Sequence, residues 1–183
     1  MLAYPHHSLR RIRDLSGVWE FAFLGYRDPA ETSVASIAFS DRMVVPLSFD
    51  VVAGYRGLRG LAAYRLVVDV PESPRARVHF PAMGPWSAVY ADGELVGRHD
   101  CPFTPTAVDI PTGRSVSLVV LIDNRFDRDR LPGGPFPNYD WYQYGGIFRP
   151  PVLHLLPSAS IANVLLRTVD WRRGIVEAEV VLD

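Results

Sequence analysis

Between Pro137 and Pro150 the chain reads PNYDWYQYGGIFRP, with Tyr139, Trp141, Tyr142 and Tyr144 around the single carboxylate of Asp140. A carboxylate placed there would be costly to desolvate without partners, so the run is a poor core strand. It suits a polyol site, where rings cover the apolar faces of a sugar and a carboxylate accepts hydrogen bonds from hydroxyls. Asp140 has a second reading, as a turn cap or an ion-pair partner of an arginine such as Arg149. Trp141, Tyr142 and Tyr144 likewise either stack on a ligand or pack the core, and alternation along the chain divides them between two faces.

Bond-breaking chemistry is harder to find. Hydrolysis of a glycosidic bond needs two carboxyls roughly 5 to 9 Å apart, one of them kept protonated. The glutamates are Glu20, Glu31, Glu72, Glu94, Glu177 and Glu179. Glu94 follows a hairpin turn, Glu72 follows a proline, and Glu177 and Glu179 share one strand face, all solvent-facing positions. No catalytic residue is assigned. The run from Asp123 to Arg130 alternates acids with arginines and lacks the glycine of a helix-loop-helix calcium site, so a solvated ion-paired loop is favoured over an ion site. His6, His7, His99 and His154 lack partners at metal spacing. No metal and no cofactor is expected, since phosphate-loop, dinucleotide and serine-elbow motifs are all missing from the sequence.

The elements that would hold this cluster are strands. Val18 to Phe23, Tyr64 to Val70, Arg77 to Phe80 and Ser87 to Ala91 carry β-type residues and end at turn formers. Asp92-Gly93 predicts a tight hairpin that returns through Glu94 to Val96. Val116 to Ile122 is almost continuously apolar, the pattern of a strand covered on both faces. Val152 to Leu156 is a further short strand. Only Asp28 to Ile37 offers a turn or two of helix. Sixteen prolines and fourteen glycines punctuate these runs, which points to an all-β jelly-roll sandwich. A boundary is expected at Leu156 to Ser160, giving a unit over 1–157 and a β segment over 158–183. That segment holds two strand-like runs, Ile161 to Val169 and Ile175 to Leu182, too few to bury a face alone.

With 183 residues, the chain suits one domain and a fragment of a second. Nineteen basic and twenty acidic side chains leave a net charge of −1, which provides no long-range attraction for nucleic acid or anionic membrane. The cluster Arg10, Arg11, Arg13 reads as a solvated arm. No apolar run reaches the roughly 20 residues of a helical membrane span. Cys101 is the only cysteine, so no intrachain disulfide forms; with no apolar leader at the start, this favours a reducing, cytoplasmic setting. Self-association is compatible with the sequence.

Taken in order, LSGVWEF (Leu15 to Phe21), VPLSFD (Val45 to Asp50), AYRLVVDVP (Ala63 to Pro71) and ADGELVGRH (Ala91 to His99) carry a family pattern. FTP (Phe103 to Pro105), IDN (Ile122 to Asn124) and DWYQYGGIFRP (Asp140 to Pro150) extend it. Together they resemble the N-terminal sugar-binding domain of family 2 glycoside hydrolases, the β-galactosidase and β-glucuronidase family. The resemblance implies a galactose-binding-like jelly roll to about Pro157, then the opening strands of an immunoglobulin-like domain. A catalytic (β/α)8 barrel would lie on further polypeptide. It also implies that Asp140, with Trp141 and Tyr144 beside it, contacts substrate without being catalytic. Asn124, Gly145, Gly146 and Arg149 would be structural, Asn124 tying the following loop and Arg149 making a charge-assisted contact to a carboxylate or carbonyl. The implied partner is a β-galactoside or β-glucuronide held jointly with the missing catalytic domain. Two rival readings are a free-standing carbohydrate-binding module and a protein-interaction β-sandwich.

Overall fold

A computed structural model describes residues 11–125 and 143–183 of the protein. In chain order its strands are β1 (Arg11–Asp14), β2 (Gly17–Gly25), β3 (Asp41–Val45), β4 (Leu47–Ser48), β5 (Leu61–Val70), β6 (Arg75–Phe80) and β7 (Met83–Gly84). They continue as β8 (Trp86–Ala91), β9 (Glu94–His99), β10 (Thr106–Ile110), β11 (Arg114–Asp123), β12 (Gly146–Ile147), β13 (Val152–Leu156), β14 (Ile161–Asp170) and β15 (Ile175–Leu182). Short 3-10 turns at Pro29–Glu31, Val34–Ser36, Phe49–Val51 and Ala53–Tyr55 are the helical elements among the described residues.

The all-β expectation holds. A six-stranded sheet in the order β3-β2-β5-β11-β8-β9 faces a four-stranded sheet in the order β1-β13-β6-β10. Neighbouring strands in both run antiparallel. Alternation decides which side chains enter the core between them. From β6 these are Ala76, Val78 and Phe80; from β5, Ala62, Tyr64 and Val68; from β11, Leu118, Val120 and Ile122. Trp19 is fully buried there, and its indole N–H donates to the Leu15 carbonyl at 2.9 Å.

The nearly unbroken apolar run of β11 has the cause its sequence suggested. Val119 and Leu121 project to the other side of the large sheet, where they meet Leu61, Ala63 and Ile37 in a second, smaller core. Strands buried on both faces lose the polar half of their alternation. Asp92 takes φ 51° and Gly93 φ 90°, as the Asp-Gly hairpin between β8 and β9 requires. The basic arm is ordered differently from its sequence reading. Arg11 and Arg13 lie on β1, an edge strand on β13, and the Arg13 guanidinium donates to the Asp69 carbonyl at 2.9 Å.

After Leu156 the chain forms the hairpin β14-β15, a two-stranded sheet of its own. Apolar residues on it stay open to solvent, Leu166 at 70% and Val176 at 57% exposure. Its root is tied to the sandwich. The carboxylate of Asp183 takes Arg75 at 2.9 Å and Arg77 closer still, while Arg77 also holds Asp109 at 2.5 Å.

Candidate functional site

One end of the sandwich is closed by the small sheet β4-β12-β7, where β12 contributes only Gly146 and Ile147. The double glycine is required by close approach. A Cβ on Gly145 would lie 2.5 Å from a Phe49 ring carbon and 2.6 Å from Asn124 Cβ. Gly146, at φ 158°, would press a Cβ into the Leu47 carbonyl. Both glycines are buried. They let the chain arriving from Tyr144 lie flat on the Phe49 turn, where Phe49 N–H donates to the Gly145 carbonyl at 2.8 Å.

A buried polar node sits under this crossing. Asp50 Oδ2 accepts from Asn124 Nδ2 at 3.0 Å and from the Gly145 N–H at 3.2 Å. Asn124 Nδ2 also donates to the Leu58 carbonyl at 3.0 Å, and Asn124 Oδ1 accepts from the Gly60 N–H at 2.8 Å. The Arg59 guanidinium donates to the carbonyls of Asn124, at 2.8 Å, and Gln143. Asn124 and Gln143 are the near flanks of segment 126–142, so this node fixes both ends of the stretch that carries Asp140. Burial pushes the Asp50 carboxyl above its ordinary range, against the opposing pull of Asn124, the Gly145 amide and Arg59. Asp50 Oδ1 and the Tyr64 hydroxyl, both buried, have no hydrogen-bond partner among the described residues. Burial first, then the Asp50 charge, drives the Tyr64 phenol far upward.

Asp140 and Trp141, the leading substrate-contact candidates of the sequence, lie outside the described residues. Tyr144 is described and is 46% exposed, so its ring is on the surface. Asn124 is fully buried. Among the described residues its side chain binds backward, to Leu58, Gly60 and Asp50, while the loop it was expected to tie runs over 126–142, outside the described residues. Arg149 is exposed at the turn after β12. Its backbone N–H reaches the Ala82 carbonyl at 3.4 Å, while among the described residues its guanidinium makes no ion pair. No partner for the expected charge-assisted contact of its side chain lies among the described residues.

Asp50, Arg59 and Gln143 escaped sequence reasoning. A signal existed for Asp50, a carboxylate enclosed by Phe49 and Val51, since acids in apolar surroundings are rarely buried unpaired. Asp123, which is buried, pairs with Arg125 at 2.9 Å from Nε to Oδ1, and the rest of the expected ion-paired loop, Phe126 to Arg130, lies outside the described residues. No cluster of three metal-ligating side chains occurs among the described residues. Glu20 is half-buried against Arg65, and the other glutamates are exposed.

No family model matches the sequence. Individual relatives do. The chain is 28% identical over 182 residues to a β-glucuronidase of Streptococcus agalactiae, covering 86% of this chain and 30% of that protein. A β-galactosidase of Thermoanaerobacter pseudethanolicus is 26% identical over 156 residues, covering 82% of this chain and 20% of its own length. Among solved structures, a β-glucuronidase from an uncultured Clostridium superposes with a TM-score of 0.81 at 25% identity, over all of this chain and 35% of that one.

The chain is a homologue of the N-terminal region of family 2 glycoside hydrolases. It spans about a third or less of the length of the relatives it matches. The buried node of Asp50, Asn124 and Arg59 lies where the described chain enters and leaves segment 126–142.

Proposed function

We propose that the chain serves as the accessory sugar-site domain of a family 2 glycoside hydrolase acting on a β-glucuronide or β-galactoside. The acid and nucleophile would reside on a barrel carried by further polypeptide. One observation bears most weight: the similarity covers 82% and 86% of the chain yet only 20% and 30% of two hydrolases of this kind. In this reading Asp140 and Trp141 reach the sugar bound by the barrel, with Tyr144 beside them. The node of Asp50, Asn124 and Arg59 holds that segment's ends still, which limits the entropy lost when substrate is oriented.

Units over 1–157 and 158–183 fit the same reading. The β14-β15 hairpin has apolar side chains that its own two strands cannot cover, as the first strands of an unfinished immunoglobulin-like sandwich would. The lone Cys101 is unbonded and suits a reducing compartment.

The test is hydrolysis of 4-nitrophenyl β-glucuronide and β-galactoside. The 183-residue chain should release no nitrophenol above buffer, while in the full-length enzyme Asp140→Ala should reduce kcat/KM with the fold unchanged. Turnover by the 183-residue chain that vanishes in Asp140→Ala would refute the accessory reading.

A further inference from the structure

The buried node is short of hydrogen-bond donors. Asp50 is 3% exposed and engages only one carboxylate oxygen, Oδ2, which takes both Asn124 Nδ2 and the Gly145 N–H. Among the described residues Asp50 Oδ1 has no partner, and neither has Gln143 Oε1, on a side chain that is also buried. The Tyr64 hydroxyl, wholly enclosed, finds no acceptor there either. Tyr64 and Asp50 border the same aromatic cluster. The Phe21 ring stands edge-on to Tyr64 at 5.0 Å and lies 5.9 Å from Phe49, the chain neighbour of Asp50. The Asp50 charge acts on the phenol, an influence strongest within about 4–6 Å, yet the two groups do not bond each other. Two hydrogen bonds of about 2.8 Å through one intervening oxygen span such a gap.

We propose that one buried water molecule completes the node, donating to Asp50 Oδ1 and accepting from the Tyr64 hydroxyl, so that Tyr64 is a positioning residue for the turns flanking segment 126–142. The inference goes beyond the sugar-site reading and stands apart from it, since no sugar enters the site. Buried polar atoms without partners are rare, and enclosed water binds where two to four of them converge. Charge narrows the ligand further. A cation is opposed by the Arg59 guanidinium, whose charge already acts on Asp50, and an anion is opposed by Asp50 itself. What remains is a small neutral molecule that both donates and accepts, and its second proton suits an acceptor such as Gln143 Oε1. A surface cleft of about 320 Å³ has Asp50 in its wall and gives solvent a way in. Through Asp50 the water would brace the Gly145 amide and the Asn124 side chain together, one on each side of segment 126–142.

A high-resolution crystal structure of the 183-residue chain tests the site directly. An ordered oxygen should lie about 2.7–3.2 Å from both Asp50 Oδ1 and Tyr64 Oη. Tyr64→Phe keeps the ring and removes one partner, so the ordered oxygen should be lost. Carbon-13 NMR of the Asp50 carboxyl supplies the readout that packing alone would not move. Losing a donor to the ionised form should carry its titration midpoint to higher pH, with Arg59, Asn124 and the Gly145 amide still in place. Amide exchange at Gly145 should quicken about fivefold, the equivalent of one hydrogen bond. A dry site in the unaltered chain overturns the proposal, as does a direct bond between Asp50 Oδ1 and Tyr64 Oη. So does an Asp50 titration that Tyr64→Phe leaves unmoved, even if the melting temperature falls, because that pattern belongs to a packing role. Should Tyr64→Phe fail to fold, the crystal structure of the unaltered chain decides alone.

Discussion

Asn124→Ala is the sharpest probe of the buried node. Its side chain makes three hydrogen bonds at 2.8 to 3.0 Å: from the Gly60 amide, to the Leu58 carbonyl and to the Asp50 carboxylate. A neutral bond contributes about 1 kcal/mol net and one to an ionised group about 1.5–3 kcal/mol, and partners stranded in the interior add desolvation cost. The expected loss is about 3–5 kcal/mol, a large share of the 5–15 kcal/mol typical of a domain. Urea unfolding followed by Trp fluorescence should show the midpoint falling with little change in slope. Asn124→Asp sharpens the test, because it sets a second carboxylate beside Asp50. That variant should be severely destabilised at neutral pH and partly recover on acidification, as one of the two acids takes a proton. A loss below about 1 kcal/mol for Asn124→Ala would refute the claim that this node holds the end of the sandwich together.

Asp50 itself should leave a signature in the pH dependence of stability. Its carboxyl is raised by burial, so the folded chain binds this proton more tightly than the unfolded chain does. The contribution is fully present below the unfolded carboxylate pKa of about 3.9 and is lost as pH rises through the elevated folded value. Asp50→Asn should flatten the urea-midpoint profile across that window; an unaltered profile would contradict the assignment. Gly145→Ala should cost about 1–3 kcal/mol in the same unfolding assay, because the new methyl meets Phe49 and Asn124, neither of which has room to yield. Arg77→Met should release the root of the β14-β15 hairpin, seen as faster amide exchange at Ser160 and Asp183, whose mutual backbone bonds of 2.9 and 2.8 Å close it.

Much of the fold was legible because burial leaves its mark on alternation. The run through β11 announced a doubly covered strand, and Asp92-Gly93 announced its hairpin. β10 was missed: Val108 and Ile110 alternate inward, but five residues behind a proline give too short a pattern. β1 was hidden by its arginines, whose charged ends reach solvent or a neighbouring carbonyl while the backbone pairs with β13. In the candidate site, aromatic density drew attention to Tyr144 and the glycines that follow it. Asp50 and Arg59 were not legible, since their importance comes from partners about 65 to 95 positions away that only the fold brings together. Asn124 was found, but its partners Asp50, Leu58 and Gly60 were not, because they lie 64 to 74 positions behind it.

The intact mass of the polypeptide in its native source tests the central claim most directly. If the acid and nucleophile sit on further chain, the protein should be roughly three times the 20.4 kDa of these 183 residues, in keeping with a chain that covers 30% of one relative and 35% of another. A native product of 20.4 kDa would contradict the account.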